Sequence, residues 1–216
     1  MASTCHSSLV EDWTDEVGKQ QLRGDRKPCV FLDRDGVLNL PLIGDGRPHP
    51  PRHLEEFKLY DDALNGCERL KQAGFLLVVV SNQPDVGRGT QSRAIVDAMN
   101  DRLAALIPVL DRIETCFHGG TDFHQPCLCR KPKPGMLHRA AEMMLIDLPN
   151  SYLIGDRWRD VDCARAAECR AIFIDRGYSE TLRLLPDVTV ASFDAAVTAV
   201  LALAGRDALP APPKAS

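Results

Sequence analysis

Two aspartates stand two positions apart directly after an apolar run, in the segment Leu32-Asp33-Arg34-Asp35-Gly36. Alternate side chains of a strand point the same way, so Asp33 and Asp35 start on one side, and Gly36 lets the backbone turn sharply. Two carboxylates this close stay ionised together only when a cation lies between them or when one holds a proton. The pair could therefore perform phosphoryl transfer, with one aspartate attacking phosphorus beside Mg²⁺ and the other exchanging a proton with the leaving oxygen. A surface turn with two solvated aspartates is the alternative.

Polar side chains also follow a second apolar run and precede a later helix. Ser81, Asn82 and Gln83 supply a hydroxyl and two amides, which are neutral groups suited to hydrogen-bond phosphate oxygens. Arg130 and Lys131 come just before a predicted helix, where cations oppose the helix dipole but suit an anion bound at the helix N-terminus. A plain turn and a solvated basic loop are the alternatives.

A third carboxylate follows another apolar run. Asp156 comes after that run and a glycine, much as Asp33 follows its own strand. It is a candidate oxygen ligand for Mg²⁺, which prefers carboxylates and waters. Asp160 could belong to the same site, and its competing and favoured role is the N-cap of the helix that follows.

Three cysteines and a histidine lie close together in one loop. Cys116, His118, Cys127 and Cys129 form a set that is typical of closed structural zinc sites, in which the protein supplies all four ligands. A cluster of reduced thiols is one alternative, and a Cys127–Cys129 disulfide, strained by its one-residue gap, is another. His124 is a competing nitrogen ligand. A zinc ion here would hold the two cations that follow the loop over the mouth of the site.

The elements that must position these residues alternate along the chain. Short apolar runs predict buried strands at 29–32, 76–81, 112–117, 152–154 and 171–174. Helical spacing predicts helices at 62–73, 91–106, 134–145, 161–168 and 193–204. This alternation predicts an α/β fold with an open, doubly wound (Rossmann-like) parallel sheet. Ligands of such sheets collect at the carboxyl ends of the strands, where the polar residues above are found.

The length and charge of the chain limit its possible binding partners and its domain organisation. The chain has 216 residues, with 26 basic and 30 acidic side chains and a net charge of −4, which argues against binding nucleic acid or anionic membranes through bulk charge. Its longest apolar run, 75–80, is far shorter than the roughly 20 residues of a membrane span. The start lacks the pattern of a secretory signal, so a cytoplasmic protein is expected. We expect a loosely ordered extension at 1–24 with room for a short helix at 10–22, a folded domain at 25–205, and a flexible tail at 206–216.

Four motifs in order resemble those of the haloacid-dehalogenase (HAD) superfamily of phosphatases. They are D-x-D-G-x-x-N at 33–39, S-N-Q at 81–83, R-K-P at 130–132 and G-D-x-x-x-D at 155–160. A Cys/His loop that runs into R-K-P is similar to the branch containing D-glycero-D-manno-heptose 1,7-bisphosphate and histidinol-phosphate phosphatases. The Gly87-Arg88-Gly89 turn after S-N-Q looks more like the heptose side. The resemblance implies a HAD-like fold with a small zinc loop and little or no cap domain.

The resemblance also implies a reaction. The chain would be a Mg²⁺-dependent phosphomonoester hydrolase that removes one phosphate from a heptose bisphosphate, in the synthesis of heptose nucleotide precursors. Asp33 would attack phosphorus, and Asp35 would protonate the leaving oxygen and then activate water. Asp33, the backbone carbonyl of Asp35 and Asp156 would hold Mg²⁺, and Cys116, His118, Cys127 and Cys129 would hold zinc.

The remaining motif residues would handle the phosphate groups and the sugar. Lys131, with Ser81 and Asn82, would stabilise the equatorial oxygens of the phosphoryl group during its transfer. Gln83, Arg130 and Arg157 would bind substrate, because a guanidinium can hold a second phosphate through two hydrogen bonds. The partner would be a small phosphorylated sugar, with no nucleic acid and no membrane, and the chain would be a monomer.

Three other functions are compatible with the same residues. The chain could hydrolyse histidinol phosphate, although a site for that amine calls for carboxylates near its mouth. The Cys/His loop could be a zinc knuckle that contacts RNA or protein. Asp33 could instead keep its phosphate as a signal, which the neighbouring acid–base group Asp35 disfavours.

Overall fold

A computed structural model describes residues 26–44, 47–120 and 127–205 of the chain. The extension and the tail expected at 1–24 and 206–216, the short helix at 10–22 and the competing ligand His124 lie outside these ranges. The strands are β1 (Cys29–Leu32), β2 (Leu42–Gly44), β3 (Arg47–His49), β4 (Leu76–Asn82), β5 (Arg112–Cys116), β6 (Tyr152–Gly155), β7 (Arg170–Ile174) and β8 (Val188–Val190). The α-helices are α1 (Ala63–Gln72), α2 (Pro84–Gly87), α3 (Arg93–Leu106), α4 (Gly135–Met144), α5 (Trp158–Ala166) and α6 (Phe193–Leu203), and two 3₁₀ turns are formed by Leu54–Glu56 and Leu148–Asn150.

A parallel sheet with helices on both faces forms the core of the described chain. Its strand order is β5-β4-β1-β6-β7-β8, and every neighbouring pair is parallel. In β1, Val30 and Leu32 join the apolar cluster that includes residues of α1 and α6, while Cys29 and Phe31 join the cluster that includes residues of α4 and α5. This alternation buries both faces of the central strand, which confirms the predicted doubly wound α/β fold.

The predicted elements match the observed ones closely, with specific exceptions. Strand ends agree within one residue, and helix ends agree within two residues except at α5. Three elements are not among the predicted ones: the three-residue strand β8, the antiparallel β2–β3 hairpin and the four-residue helix α2. Runs this short carry too little periodicity to be recognised.

The predicted N-cap role of Asp160 is wrong. Helix α5 begins at Trp158, three residues before the predicted start, so Asp160 lies in its first turn. From there the carboxylate reaches back and accepts a hydrogen bond of 3.1 Å from the N–H of Arg157, the residue that precedes the helix. An acidic group in this position satisfies a free N–H and faces the positive end of the helix dipole, so it anchors the helix start without being the cap.

The topology gathers the polar residues at one edge. Going out from β1, the chain builds the sheet first toward β4 and β5 and then toward β6 and β7, so the carboxyl ends of β1 and β6 flank the point where the order reverses. Between β1 and α1, the described residues form only the β2–β3 hairpin and one 3₁₀ turn. None of the described helices combines the length and apolar character needed to cross a membrane.

Candidate active site

Three buried carboxylates converge beyond the tips of β1 and β6. Asp33 follows β1 and Asp156 follows β6, and Asp160 comes from the first turn of α5. One carboxylate oxygen from each lies within 4.8 Å of the other two, and all three side chains are buried. Such a group would repel itself strongly unless cations neutralise it.

Lys131 supplies one of those cations. Its ammonium is fully buried and lies 2.9 Å from Asp33 Oδ1 and 2.6 Å from Asp160 Oδ1. Asn82, at the end of β4, fixes its backbone: the Lys131 N–H donates to Asn82 Oδ1 and the Asn82 side-chain nitrogen donates to the Lys131 carbonyl, both at 3.0 Å. The amide of Asn82, a predicted substrate ligand, is thus used to place Lys131.

Burial dominates the proton affinities of this cluster. It raises the pKa of Asp33 to about 6, with Lys131 opposing the rise and Asp160 adding to it. It also raises the pKa of Asp156 well above the usual range, helped by the charges of Asp33 and Asp160. Burial alone would lower the pKa of Lys131, but the carboxylates of Asp160 and Asp33 outweigh it and raise that pKa. Lys131 therefore stays positively charged. Its single charge does not neutralise all three carboxylates.

Asp156 shows where a further cation fits. Both of its carboxylate oxygens are buried, and among the described residues neither meets a donor at regular hydrogen-bond geometry. The Tyr178 hydroxyl lies nearby, and its pKa is raised first by burial and then by the charge of Asp156. Buried carboxylate oxygens with so few donors suit a hard divalent ion such as Mg²⁺, which takes oxygen ligands. Asp33 and Asp156, both predicted ligands, and Asp160 fit that role.

Gly36 makes room for this carboxylate. Its φ is +92°, and a Cβ on it would lie 1.8 Å from Asp156 Oδ2. Any side chain at this position would both strain the backbone and collide with the candidate metal ligand. The glycine of the D-x-D-G motif is thus required for two reasons: the turn needs its positive φ, and the Asp156 side chain after β6 occupies the space of a Cβ.

Asp35 is held apart from the three-carboxylate group. Its carboxylate accepts hydrogen bonds from Arg34 at 3.1 and 3.2 Å, from Asn39 at 3.0 Å and from Gln83 at 2.7 Å. Arg34 is fully buried, and its guanidinium also donates to Asn100 and lies 5.7 Å from the centre of the Phe57 ring. These donors fix the orientation of the carboxylate, and Asp35 still lines the cleft.

Ser81 and Gln83 lie behind Asp35. Both are buried, and the Gln83 side-chain nitrogen donates to Ser81 Oγ at 2.9 Å as well as to Asp35. The predicted substrate ligand Gln83 therefore contacts the predicted acid–base residue. Arg34 and Asn39 stand in the D-x-D-G-x-x-N segment, but their spacing alone indicates no role for them.

A cleft of about 400 Å³ opens above these groups. Asp33, Asp35 and Lys131 form its floor, and Pro48 and His49 of the β2–β3 hairpin form part of its wall. The wall also carries three guanidiniums, those of Arg88, Arg157 and Arg159. The sequence singled out Arg157 but not Arg159, although the two stand two positions apart.

The predicted substrate ligands Arg157 and Arg130 differ in their placement. Arg157 pairs with Glu180, its Nε lying 2.6 Å from Oε2, so its charge is already balanced. Arg130 donates to the carbonyls of Gly119 at 3.3 Å and Gly120 at 2.7 Å. Burial lowers the pKa of Arg130, and the positive charges of Arg88 and Arg159 lower it further.

The Cys/His loop brings its four predicted ligands together. Cys116 Sγ lies 3.3 Å from Cys129 Sγ and 3.9 Å from Cys127 Sγ, and His118 Nδ1 lies 3.5 and 3.2 Å from the sulfurs of Cys116 and Cys129. A zinc ion with Zn–S bonds of about 2.3 Å gives tetrahedral S–S edges of roughly 3.8 Å. The arrangement therefore fits a closed tetrahedral site.

Comparisons with known proteins agree with this geometry. A HAD-hydrolase-like family model matches residues 128–196. D-glycero-beta-D-manno-heptose-1,7-bisphosphate 7-phosphatases are similar in sequence: that of Yersinia pestis is 36% identical over 65% of this chain and 76% of its own length. That of Pseudomonas aeruginosa is 35% identical over 80% of this chain and 96% of its own.

A solved structure is similar as well. The D,D-heptose 1,7-bisphosphate phosphatase from B. bronchiseptica, complexed with magnesium and phosphate, superposes with a TM-score of 0.66 at 27% identity. The match covers 82% of this chain and 99% of that one. A putative HAD-like phosphatase from Mesorhizobium loti shares the fold, with a TM-score of 0.67 at 24% identity over 88% and 90% of the two chains.

Proposed function

The chain belongs to the HAD-like hydrolases, in the group of the bacterial heptose bisphosphate phosphatases, and on that premise we propose that it hydrolyses a D-glycero-D-manno-heptose 1,7-bisphosphate. The phosphate removed would be that of position 7, as in the names of its relatives. The observation that carries the proposal is the pairing of Asp33 with Lys131 at 2.9 Å on the floor of a cleft that Asp35 also lines.

Asp33 is the proposed nucleophile. Its carboxylate oxygen attacks phosphorus and forms an aspartyl-phosphate, while the bond from phosphorus to the sugar oxygen breaks. Asp35 gives that oxygen its proton, so the sugar leaves as an alcohol. Asp35 then takes a proton from water, whose oxygen attacks phosphorus and releases Asp33 and inorganic phosphate.

The surrounding groups keep this chemistry in place. Arg34, Asn39 and Gln83 orient the Asp35 carboxylate toward one proton-transfer geometry. Lys131 keeps Asp33 aligned and offers positive charge to the phosphate oxygens. Mg²⁺ held by Asp33, Asp156 and Asp160 would neutralise the charge of the phosphate and of the carboxylates themselves. The Asp35 backbone carbonyl is proposed as a further ligand.

Two further features support a bisphosphate substrate and a metal-stabilised loop. The three guanidiniums at the cleft wall outnumber the two carboxylates that pair with them, Asp85 and Glu180, and this excess of positive charge suits a second phosphate better than the amine of histidinol phosphate. Zinc held by Cys116, His118, Cys127 and Cys129 would fix the loop from which Arg130 and Lys131 emerge. With all four positions filled by protein, this ion would have a structural role.

Phosphate release tests the proposal. The purified chain is incubated with the heptose 1,7-bisphosphate or with histidinol phosphate, in Mg²⁺ or in EDTA, and phosphorus NMR identifies the product. We expect Mg²⁺-dependent formation of heptose 1-phosphate and a preference over histidinol phosphate of at least about 100-fold in kcat/KM. Equal or faster hydrolysis of histidinol phosphate, or full activity in EDTA, would refute the proposal.

A further inference from the structure

The Cys/His loop touches the turn after β4 through two glycines. A Cβ on Gly87 would lie 2.2 Å from the Gly119 nitrogen and 2.4 Å from the Phe117 carbonyl oxygen. A Cβ on Gly119 would lie 2.6 Å from the Gly87 carbonyl carbon and 2.7 Å from the Arg88 nitrogen. The obstacles are backbone atoms, which cannot rotate away. The two segments can approach this closely only because both positions are glycine.

This contact is reinforced on both sides. The Gln83 N–H donates to the Cys116 carbonyl at 2.8 Å, at the start of the same turn. The Arg93 guanidinium lies 4.2 Å from the centre of the Phe117 ring. Gly119 directly follows His118, so the candidate metal ligands and the glycine contact belong to one short stretch of backbone.

Arg88 is the side chain that this contact places. It follows Gly87, its Nε donates to the Gly119 carbonyl at 3.1 Å, and Asp85 Oδ1 lies 3.3 Å from its terminal nitrogen. Arg130 donates to the same carbonyl at 3.3 Å. Of these two arginines, Arg88 lines the cleft, together with Asp33 and Lys131.

We infer that Arg88 binds the phosphate that the enzyme leaves on the sugar, and that the Gly87–Gly119 contact with the Cys/His loop positions it. The inference rests on the proposed function for its substrate. The Cys/His loop thereby acts on specificity through Gly119, in addition to its direct link to Arg130 and Lys131. Gly119 is a positioning residue in this scheme, and Arg88 is the residue that touches substrate.

The loss of affinity expected when Arg88 no longer contacts the phosphate follows from the strength of a hydrogen bond between charged groups. Hydrogen bonds to charged groups contribute about 1.5 to 3 kcal/mol, which corresponds to about 10- to 150-fold in affinity. A guanidinium that is shifted out of hydrogen-bond distance from the phosphate loses most of this contribution to affinity. We therefore expect Arg88→Ala and Gly119→Ala to weaken the same interaction by similar factors.

A double-mutant cycle tests the inference. Arg88→Ala, Gly119→Ala and the double variant are compared in kcat/KM for the heptose 1,7-bisphosphate and for heptose 7-phosphate, which lacks the remaining phosphate. Affinity for both sugars is also measured by calorimetry in an Asp33→Asn background, and zinc content by elemental analysis. Gly89→Asn is the matched control: Gly89 lies in the same turn with φ +76°, a Cβ on it would meet no other atom within 4 Å, and Asn tolerates that φ.

We expect each single variant to lose about 10- to 100-fold in kcat/KM for the bisphosphate and less than about threefold for the monophosphate. The double variant should lose no more than the worse single variant, because both act on one contact. Gly89→Asn should resemble the unaltered chain. Arg88 is nearly half exposed, so Arg88→Ala reports on specificity even where Gly119→Ala fails to fold.

Three outcomes would overturn the inference: equal losses on both sugars, additive losses in the double variant, or a chain that binds the bisphosphate no more tightly than the monophosphate. The proposed function fails separately. A chain that binds the bisphosphate more tightly through Arg88 but never hydrolyses it would support the inference and reject the proposed function. A chain that hydrolyses the bisphosphate equally well without Arg88 would support the proposed function and reject the inference.

Discussion

The side-chain nitrogen of Gln83 donates a hydrogen bond of 2.7 Å to Asp35 Oδ2. Gln83 is buried, and the same nitrogen reaches Ser81 Oγ. A glutamine in the second motif thus orients the proposed acid–base carboxylate of the first motif. Its position between two other side chains indicates that it acts on proton transfer more than on substrate affinity.

Replacing Gln83 should therefore lower kcat and leave KM nearly unchanged. We expect Gln83→Ala to lose about 10- to 100-fold in kcat, because a misplaced proton donor forfeits part of acid–base catalysis. Steady-state kinetics with the bisphosphate measures both parameters. Gln91→Ala, in the loop before α3, is the matched control. A rise in KM at constant kcat would assign Gln83 to substrate binding instead.

Gly36→Ala should weaken the candidate metal site and the fold together. The new Cβ would strain a backbone at φ +92° and collide with Asp156 Oδ2. Gly177→Ala separates the two effects, since Gly177 has φ +72° and open space around a Cβ. Thermal unfolding should show a loss of about 1 to 2 kcal/mol for Gly177→Ala and more for Gly36→Ala. Mg²⁺ titration should show weakened binding for Gly36→Ala alone; equal effects of the two variants would contradict the steric explanation.

Mg²⁺ binding should depend on pH through the carboxylate cluster. The pKa of Asp33 is raised from 3.8 to about 6 in the folded chain, so between these values the folded state holds more protons than the unfolded state. Without metal, the free energy of unfolding should therefore fall as pH rises through this window. Mg²⁺ competes with the proton, so its stabilising effect should grow as pH rises from about 5 to about 7. Unfolding midpoints with and without Mg²⁺ give the comparison, and a Mg²⁺ effect independent of pH would count against Asp33 as a ligand.

The Cys/His loop should carry one zinc ion per chain. Cys127→Ser and Cys129→Ser should each reduce the zinc content well below one equivalent and lower the unfolding midpoint, because a closed site loses one of four ligands. Cys169→Ala, in the apolar core and outside the cluster, should keep its zinc. Elemental analysis after gel filtration measures this. A full equivalent of zinc in both serine variants would show that the loop is not the metal site.

Sequence patterns predicted the sheet because its strands are apolar runs buried on both faces, as Cys29–Leu32 shows. They also place Asp33 and Asp156 at one rim, since parallel strands end on the same side. Lys131, which precedes a helix, joins them through its ion pair with Asp33. The patterns fail where a role depends on distant contacts. The helix that follows Asp160 predicts a cap there, whereas its pairing with Lys131 joins positions 29 residues apart, which no local pattern encodes.

The arginines illustrate the same limit. Arg130 and Arg88 are both adjacent to recognisable motifs, yet only the fold shows that they share the Gly119 carbonyl. Arg159 reaches the cleft because α5 begins earlier than its apolar spacing indicates. Side-chain direction at a cleft depends on where a helix starts, and helix starts are the least certain feature of a sequence pattern.

The central claim is that Asp33 carries the phosphate during turnover, and direct trapping tests it. In Asp35→Asn, a phosphoester with a good leaving group such as p-nitrophenyl phosphate needs no acid for the first step, whereas the second step still loses its base, so the aspartyl-phosphate should accumulate. The reaction is quenched in acid, and the modified peptide is located by mass spectrometry. We predict phosphate on Asp33, and none in Asp33→Asn. Phosphate on another residue, or product formation with no phosphorylated protein at any time, would contradict the account.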